Sequence, residues 1–246
     1  MHGFQREWSV AVRQGHVDAL RLLTEHDAEG FDSRMLNILA SNNKSEALEY
    51  LINHRQGLNL IPVYNIVCSN GFIETLNMLE KYVDPKKTSG LINAAVSGRQ
   101  KLFEYWLDKG VVLGSEVMDA AAEGGQLELV KWMHAKGINT TTNVMDNVAK
   151  NGHLDVLKWF HINRSETLSY NGFEYAVHEN QRDVVEWIYD NFSEFNADES
   201  LLNAISEGSE DVARYLSDKV SDDTLNTASE MREYDTGNMD FIFGKK

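Results

Sequence analysis

One short pattern recurs eight times along the chain, and it dictates what kind of fold the chain can adopt. Aligned on a single slot, the copies carry Gly15, Asn43, Gly71, Gly98, Gly125, Gly152, Asn180 and Gly208, with successive differences of 28, 28, 27, 27, 27, 28 and 28 residues. Glycine and asparagine are the residues that most readily take the left-handed backbone conformation of a turn. The slot therefore predicts a tight connection between two elements.

The columns on either side are apolar. Seven before the slot stand Trp8, Leu36, Tyr64, Leu91, Met118, Met145, Phe173 and Leu201; the columns four and three before it hold only Ala, Leu, Val, Ile and Cys68. That spacing of i, i+3, i+4 is one stripe of a helix. Five after the slot come Leu20, Leu48, Leu76, Phe103, Val130, Leu157, Val185 and Ala213, and the columns seven and eight after it are apolar or aromatic throughout. With 42% of residues hydrophobic, a fully apolar column of eight arises by chance about once in a thousand trials. Six such columns share one register. All five tryptophans fall in them, and Pro62 and Pro85 lie in connections between units.

Each unit thus reads as a two-turn helix, a tight turn, a longer helix and a loop. A unit this small cannot bury its apolar face alone, so neighbours must stack on it. The expected fold is all-α: an α-solenoid of about eight helix-turn-helix repeats. Residues 1–230 are expected to form a single array of eight units closed by a partial cap, because Leu225-Asn226-Thr227-Ala228-Ser229-Glu230 repeats the opening of the eighth unit, Leu202-Asn203-Ala204-Ile205-Ser206-Glu207. Residues 231–246 lose the register and are expected to be a mobile tail.

At this point the residues resemble a known family. Asn151-Gly152-His153-Leu154-Asp155-Val156-Leu157-Lys158-Trp159 and Ala121-Ala122-Glu123-Gly124-Gly125 followed by Leu127-Glu128-Leu129-Val130-Lys131-Trp132 look like the helices of ankyrin repeats. Lys136-Gly137-Ile138-Asn139 resembles the glycine-containing end of that unit. Ankyrin units ordinarily run 33 residues and open with Thr-Pro-Leu-His. Here the period is 27 to 28 and no unit carries that tetrapeptide. The shortening falls in the connection, so the resemblance implies short or absent β-hairpins. In this the chain is similar to the divergent ankyrin arrays of amoebae, oomycetes and giant viruses of protists.

The net charge of −15 argues against phosphate backbones and anionic membranes as partners. It permits a protein partner with a basic surface. Residues 194–223 alone hold nine acids against Arg214 and Lys219, which reads first as a solvated cap. A single cysteine, Cys68, can form neither an internal disulfide nor a zinc cluster. No apolar stretch approaches the length of a membrane span, and the opening Met1-His2-Gly3-Phe4-Gln5-Arg6-Glu7-Trp8 has no signal-peptide core. An intracellular setting, cytoplasmic or nuclear, is the expectation.

No catalytic set emerges, and no enzyme activity, cofactor, metal or small-molecule substrate is expected. Cys68 occupies a core column, where a thiol packs rather than reacts. His16 and His153 share the position after the glycine, a turn or packing place. His178 has Glu174 four residues before it, the spacing of an ordinary surface pair. Gly124-Gly125 is the repeat turn, not a phosphate cradle. Acids three after the slot (Asp18, Glu46, Glu74, Glu128, Asp155, Asp183, Asp211; Lys101 is the exception) suit the positive end of a helix dipole. Trp132, Trp159 and Trp187 are spaced for packing between units rather than for stacking bases.

The resemblance implies binding through a concave face made by the first helices. Positions six and two before the slot are expected to be exposed there. Asp119, Glu123, Asp146, Lys150, Glu174 and His178 form its central part. The reading is a non-catalytic protein-interaction scaffold or adaptor. The alternatives are a structural subunit of a larger assembly, with Ile92, Val96 and Leu202 as its extra apolar contacts, and a recruiting subunit of an enzyme complex such as a ubiquitin ligase or effector.

Overall fold

The computed structural model describes residues 4–26, 28–192 and 195–234, with side chains through Met231. Each copy of the pattern is a pair of helices. They are α1 (Gln5–Gln14) and α2 (Val17–Glu25), α3 (Arg34–Ser41) and α4 (Ser45–His54), α5 (Ile61–Asn70) and α6 (Ile73–Leu79), α7 (Gly90–Val96) and α8 (Gln100–Asp108). They continue as α9 (Ser115–Glu123) and α10 (Leu127–Ala135), α11 (Val144–Lys150) and α12 (Leu154–Asn163), α13 (Tyr170–His178) and α14 (Arg182–Asn191), α15 (Ala197–Glu207) and α16 (Glu210–Ser217). A last helix, α17 (Asp222–Tyr234), follows. The described residues contain no strand.

The slot is what makes the pair. All eight slot residues are left-handed, with φ between +52° and +79°, and Asn43 and Asn180 are the only non-glycine residues of positive φ among those described. In every unit the slot N–H donates to the carbonyl three residues back, and the next N–H donates to the carbonyl five residues back. Gly15 to Val12 (3.1 Å) with His16 to Ala11 (3.0 Å), and Asn180 to Val177 (3.1 Å) with Gln181 to Ala176 (2.8 Å), are examples. This is the Schellman closure, which satisfies carbonyls a helix end would otherwise orphan. The second helix then starts at once, as where the Leu20 N–H donates to the His16 carbonyl at 3.0 Å.

None of the eight second helices has a side-chain N-cap. At Gly15, Gly71, Gly125 and Gly152 the residue in the capping position of the next pair instead lies over the slot. A Cβ added to Gly15 would meet Lys44 Cδ at 2.7 Å, one on Gly71 would meet Arg99 Cδ at 3.1 Å, and one on Gly125 would meet His153 Nδ1 at 2.5 Å. Where the slot is asparagine, its side chain bridges to the next unit itself. Asn43 Oδ1 accepts from the Thr75 hydroxyl at 2.7 Å, and Asn180 Oδ1 accepts from the Val212 N–H at 3.1 Å.

Contacts divide the chain into two compact units, Met1–Ala120 and Ala121–Lys246. Within the first, α1, α3, α5 and α7 pack in series, as do α2, α4 and α6. Within the second, α11, α13, α15 and α17 form one row and α10, α12, α14 and α16 the other. Each unit is a stack of helix pairs, the arrangement of an α-solenoid.

The columns four before and five after the slot are buried in all eight copies, and three other columns are buried in seven of eight, with Leu91, Ile205 and Leu23 half-buried. The column seven after the slot departs from the expected core. Trp132, Trp159 and Trp187 are half-buried and Leu22 is exposed. These indoles sit on the rim, where His134 meets Trp159 and His161 meets Trp187 edge-on at 5.2 and 5.4 Å. The column four after the slot is core instead: Ala47, Thr75, Leu102, Leu129, Val156, Val184 and Val212 are buried. The helical period explains the exchange, since positions four, five and eight share one stripe while seven falls at its edge.

α17 covers the end of the second unit. Its Ala228 is buried, it packs on α15, and Asp198 ties its start by accepting from the Ser221 N–H (3.0 Å) and the Thr224 hydroxyl (2.5 Å). The helix continues to Tyr234; the remainder of the expected tail lies outside the described residues.

The slot makes a paired prediction. Gly125 and Gly208 have nearly the same φ, +70° and +75°, but a Cβ on Gly208 meets nothing within 4 Å. Both alanine variants carry the left-handed backbone penalty. G125A also has to displace the His153 ring, so its urea unfolding should show about 1 kcal/mol or more of extra destabilisation. Equal losses would contradict the packing role assigned to the slot.

Candidate functional site

The six residues expected on the binding face divide by column. Position six before the slot is half-buried in seven units, and its member Asp119, in the first unit, is buried. This corrects the expectation of exposure. The position is adjacent to the buried residue seven before the slot, and at Asp146 and Glu174 its polar groups are used up between repeats. Asp146 on α11 accepts from the Ser169 N–H at 2.8 Å and the Ser169 hydroxyl at 2.6 Å. Glu174 on α13 accepts from the Ser200 hydroxyl and from Asn203 Nδ2, both at 2.7 Å, and Ser200 is fully buried. Glu123 at the end of α9, in the second unit, is half-buried and accepts from Asn147 Nδ2 at 2.6 Å.

Position two before the slot behaves as expected at Lys150 and His178, which are exposed. Lys150 Nζ lies 5.7 Å from the centre of the Tyr175 ring, within cation–π range. His178 Nε2 stands 3.3 Å from a Glu207 carboxylate oxygen, and its Nδ1 stands 3.5 Å from Glu179. These carboxylates and Tyr175 were not singled out from the sequence. Tyr175 sits in a column of mixed character, from Val10 and Ile38 to Asn147 and Asn203, which gives no periodic signal. The exposed surface at the ends of α11, α13 and α15 in the second unit therefore includes Lys150, Tyr175, His178, the following Glu179, and Glu207, while the carboxylates of Asp146 and Glu174 are structural bridges between repeats.

Nearby, Tyr170 stacks on Phe195 at 6.3 Å. Burial, with Glu174 and Glu199 beside it, pushes its hydroxyl up to about 12. A second polar cluster joins two connections. Arg164 Nε donates to both Glu166 oxygens (2.8 and 3.0 Å), and the Thr140 hydroxyl donates to Oε1 at 2.6 Å. The Arg164 bond, aided by Thr140, holds the Glu166 carboxyl at about 2. The bidentate arginine–carboxylate pair fixes Glu166 within its own connection, and the Thr140 bond joins it to the preceding one.

The thiol of Cys68 is buried and pushed up to about 12 by that burial, and it is a packing group as its column implied. Among the described residues no cluster of three or more His, Cys, Asp or Glu could hold a metal, and no helix is long and apolar enough to cross a membrane.

Stability separates the two columns. Glu174→Ala removes the acceptor shared by Ser200 and Asn203, leaving the Ser200 hydroxyl only the Asn196 carbonyl at 3.0 Å, and should lower stability by about 1 kcal/mol. Lys150→Ala should stay within about 0.5 kcal/mol of the parent. Thermal unfolding of both variants reads this directly; a neutral E174A would return Glu174 to the free surface.

A family model described as ankyrin repeats (many copies) matches residues 118–161. The human ASB11 ankyrin repeat domain is 18% identical to the chain over 80% of this chain and 96% of that one, with a TM-score of 0.47. A superposition that loose carries no argument. No curated protein matches the chain. The match falls on residues 118–161, so that segment carries ankyrin repeats, and the same helix pair recurs along the rest of the described residues.

Proposed function

We propose that the chain is a non-catalytic scaffold or adaptor that binds a protein partner through the exposed ends of first helices α11, α13 and α15. Ankyrin repeats generally mediate protein–protein interaction, and one observation supports this placement. Consecutive first helices present Lys150, Tyr175, His178 and Glu207 to solvent, while their opposite sides are fixed in the core. An aromatic ring flanked by a cation and by carboxylates on a rigid support is the composition of an interface anchor. With Glu179 and Glu207 at its edge, the surface suits a partner bearing basic groups. Residues 1–230 act as one array in this reading, since the repeat register runs through them unbroken. A reducing cytoplasmic or nuclear setting fits the single buried thiol.

A structural subunit is the second reading, favoured by exposed apolar side chains outside the core columns. Val112 is 91% exposed and Ile162 is 77% exposed.

Crosslinking mass spectrometry of the tagged chain in native lysate separates the two. The adaptor reading expects crosslinks from Lys150 to one soluble protein, reduced about tenfold or more by Tyr175→Ala with His178→Ala, with unchanged thermal stability. Crosslinks that avoid Lys150 and instead spread over Lys101, Lys131 and Lys158 to one large assembly would replace it with the structural reading.

A further inference from the structure

The third repeat differs from the first where the large ring of its first helix meets the following connection. In the first repeat that ring is Trp8, whose indole N–H donates to the Ala28 carbonyl, twenty residues on, at 3.1 Å. The same column holds Tyr64 in the third repeat, and twenty residues on stands Asp84. There the connection is a short 3-10 turn, Pro85–Lys87, started by Asp84 Oδ1 accepting from the Lys86 N–H at 3.1 Å. The turn does not close on the ring. A cavity of about 450 Å³ remains, lined by Tyr64, Pro85, Leu91, Trp106 and Val111, with Glu80 and Lys109 at its polar side. This accounts for Leu91, the one half-buried residue of its column.

The cavity wall is apolar apart from the exposed Lys86 on the turn, several polar groups that already have partners, and one buried group that has none. Glu80 Oε2 accepts from Lys109 Nζ at 2.6 Å and from the Tyr105 hydroxyl at 3.0 Å. The Thr88 hydroxyl donates to the Pro85 carbonyl at 2.8 Å. Tyr64 is only 1% exposed, and its hydroxyl has no hydrogen-bond partner. The Trp106 indole stands beside it without reaching hydrogen-bond geometry. A buried hydroxyl without a partner is costly, and its counterpart at Trp8 is satisfied.

We propose that this cavity binds an aromatic side chain carrying a polar ring atom, tyrosine foremost, presented by a protein partner. The volume suits a single anchor, since binding pockets run from roughly 300 Å³ upward. Apolar walls with two aromatic members select a ring. Glu80 pairs with Lys109, and Asp84 and Lys86 on the turn carry opposite charges in the solvent, so an incoming charge gains little. The lone hydroxyl selects a ring with one donor or acceptor over a bare one. The Pro85–Lys87 turn buries no residue of its own, so it is the wall that yields as the ring reaches the Tyr64 hydroxyl. The protein-binding reading enters here only as the source of the side chain; occupation of the cavity by free probes does not depend on it.

The test is an NMR titration of the full chain with N-acetyl-tyrosinamide, N-acetyl-phenylalaninamide and N-acetyl-leucinamide, observed at the Trp106 indole N–H and the Leu91 and Val111 methyls. Saturable shifts are expected at these groups, with the tyrosine amide bound about three- to tenfold more tightly than the phenylalanine amide. Tyr64→Phe should erase that ratio while leaving the phenylalanine amide's affinity in place. Val111→Trp, which fills the cavity from an irregular segment, should abolish binding of both. Absence of saturable shifts, a tyrosine preference that survives Y64F, or binding that survives V111W would each overturn the site. Loss of the Lys150 crosslinks with intact probe binding would instead sink only the adaptor reading.

Discussion

A left-handed residue at the end of each first helix is the constraint on which the rest of the structure depends. It turns the chain back within two residues, so the second helix packs on the first with no room for a longer loop. Any L residue with a Cβ pays for that backbone conformation, so the slot admits glycine, and asparagine where its amide can do something useful. At Asn43 and Asn180 it does, by bonding to Thr75 and Val212 of the next unit. At Gly15, Gly71 and Gly125 the vacant Cβ position is covered by a side chain of the next unit. One residue type per repeat therefore controls both the fold of a unit and its fit to its neighbour.

The same economy shapes the surface. Because each unit is stabilised by the one beside it, polar residues near the seams between first helices become structural. Asp146, Glu174 and Asp198 spend their carboxylates on hydroxyls and N–H groups of the following repeat. What is left for recognition is the set of side chains on helix ends and rims, such as Lys150, Tyr175 and His178. Acidic composition is therefore a poor guide to where an acidic binding surface would be, since the best-placed acids are already used.

Much of this was legible in the residues. The eight slots, the helix pairs and the buried stripes followed from spacing, because left-handed geometry and the 3.6-residue period act locally on nearby residues. The errors came where neighbouring repeats decide the outcome. Trp132, Trp159 and Trp187 stand in an apolar column yet lie half-buried on the rim, because side-chain type says apolar while only packing says how deep. Thr75 hid a core column, since its hydroxyl is satisfied by an asparagine 32 residues away. Asp119 is buried although its charge suggests exposure, because burial depends on packing that side-chain type does not encode. Tyr64 sits in a column of large apolar residues, and nothing local reveals that its connection leaves a cavity.

The most direct test of the left-handed slot is native-state hydrogen exchange of the amides that follow it: His16, Lys44, Phe72, Arg99, Gln126, His153, Gln181 and Ser209. Each donates to the carbonyl five residues back at 2.8–3.2 Å, so all eight should be protected, and all more strongly than the second amide of the helix that follows. Exchange of these amides at the rate of free backbone, in more than a frayed terminal unit, would mean that the turns are not closed in this way and that the repeat register does not hold the fold together.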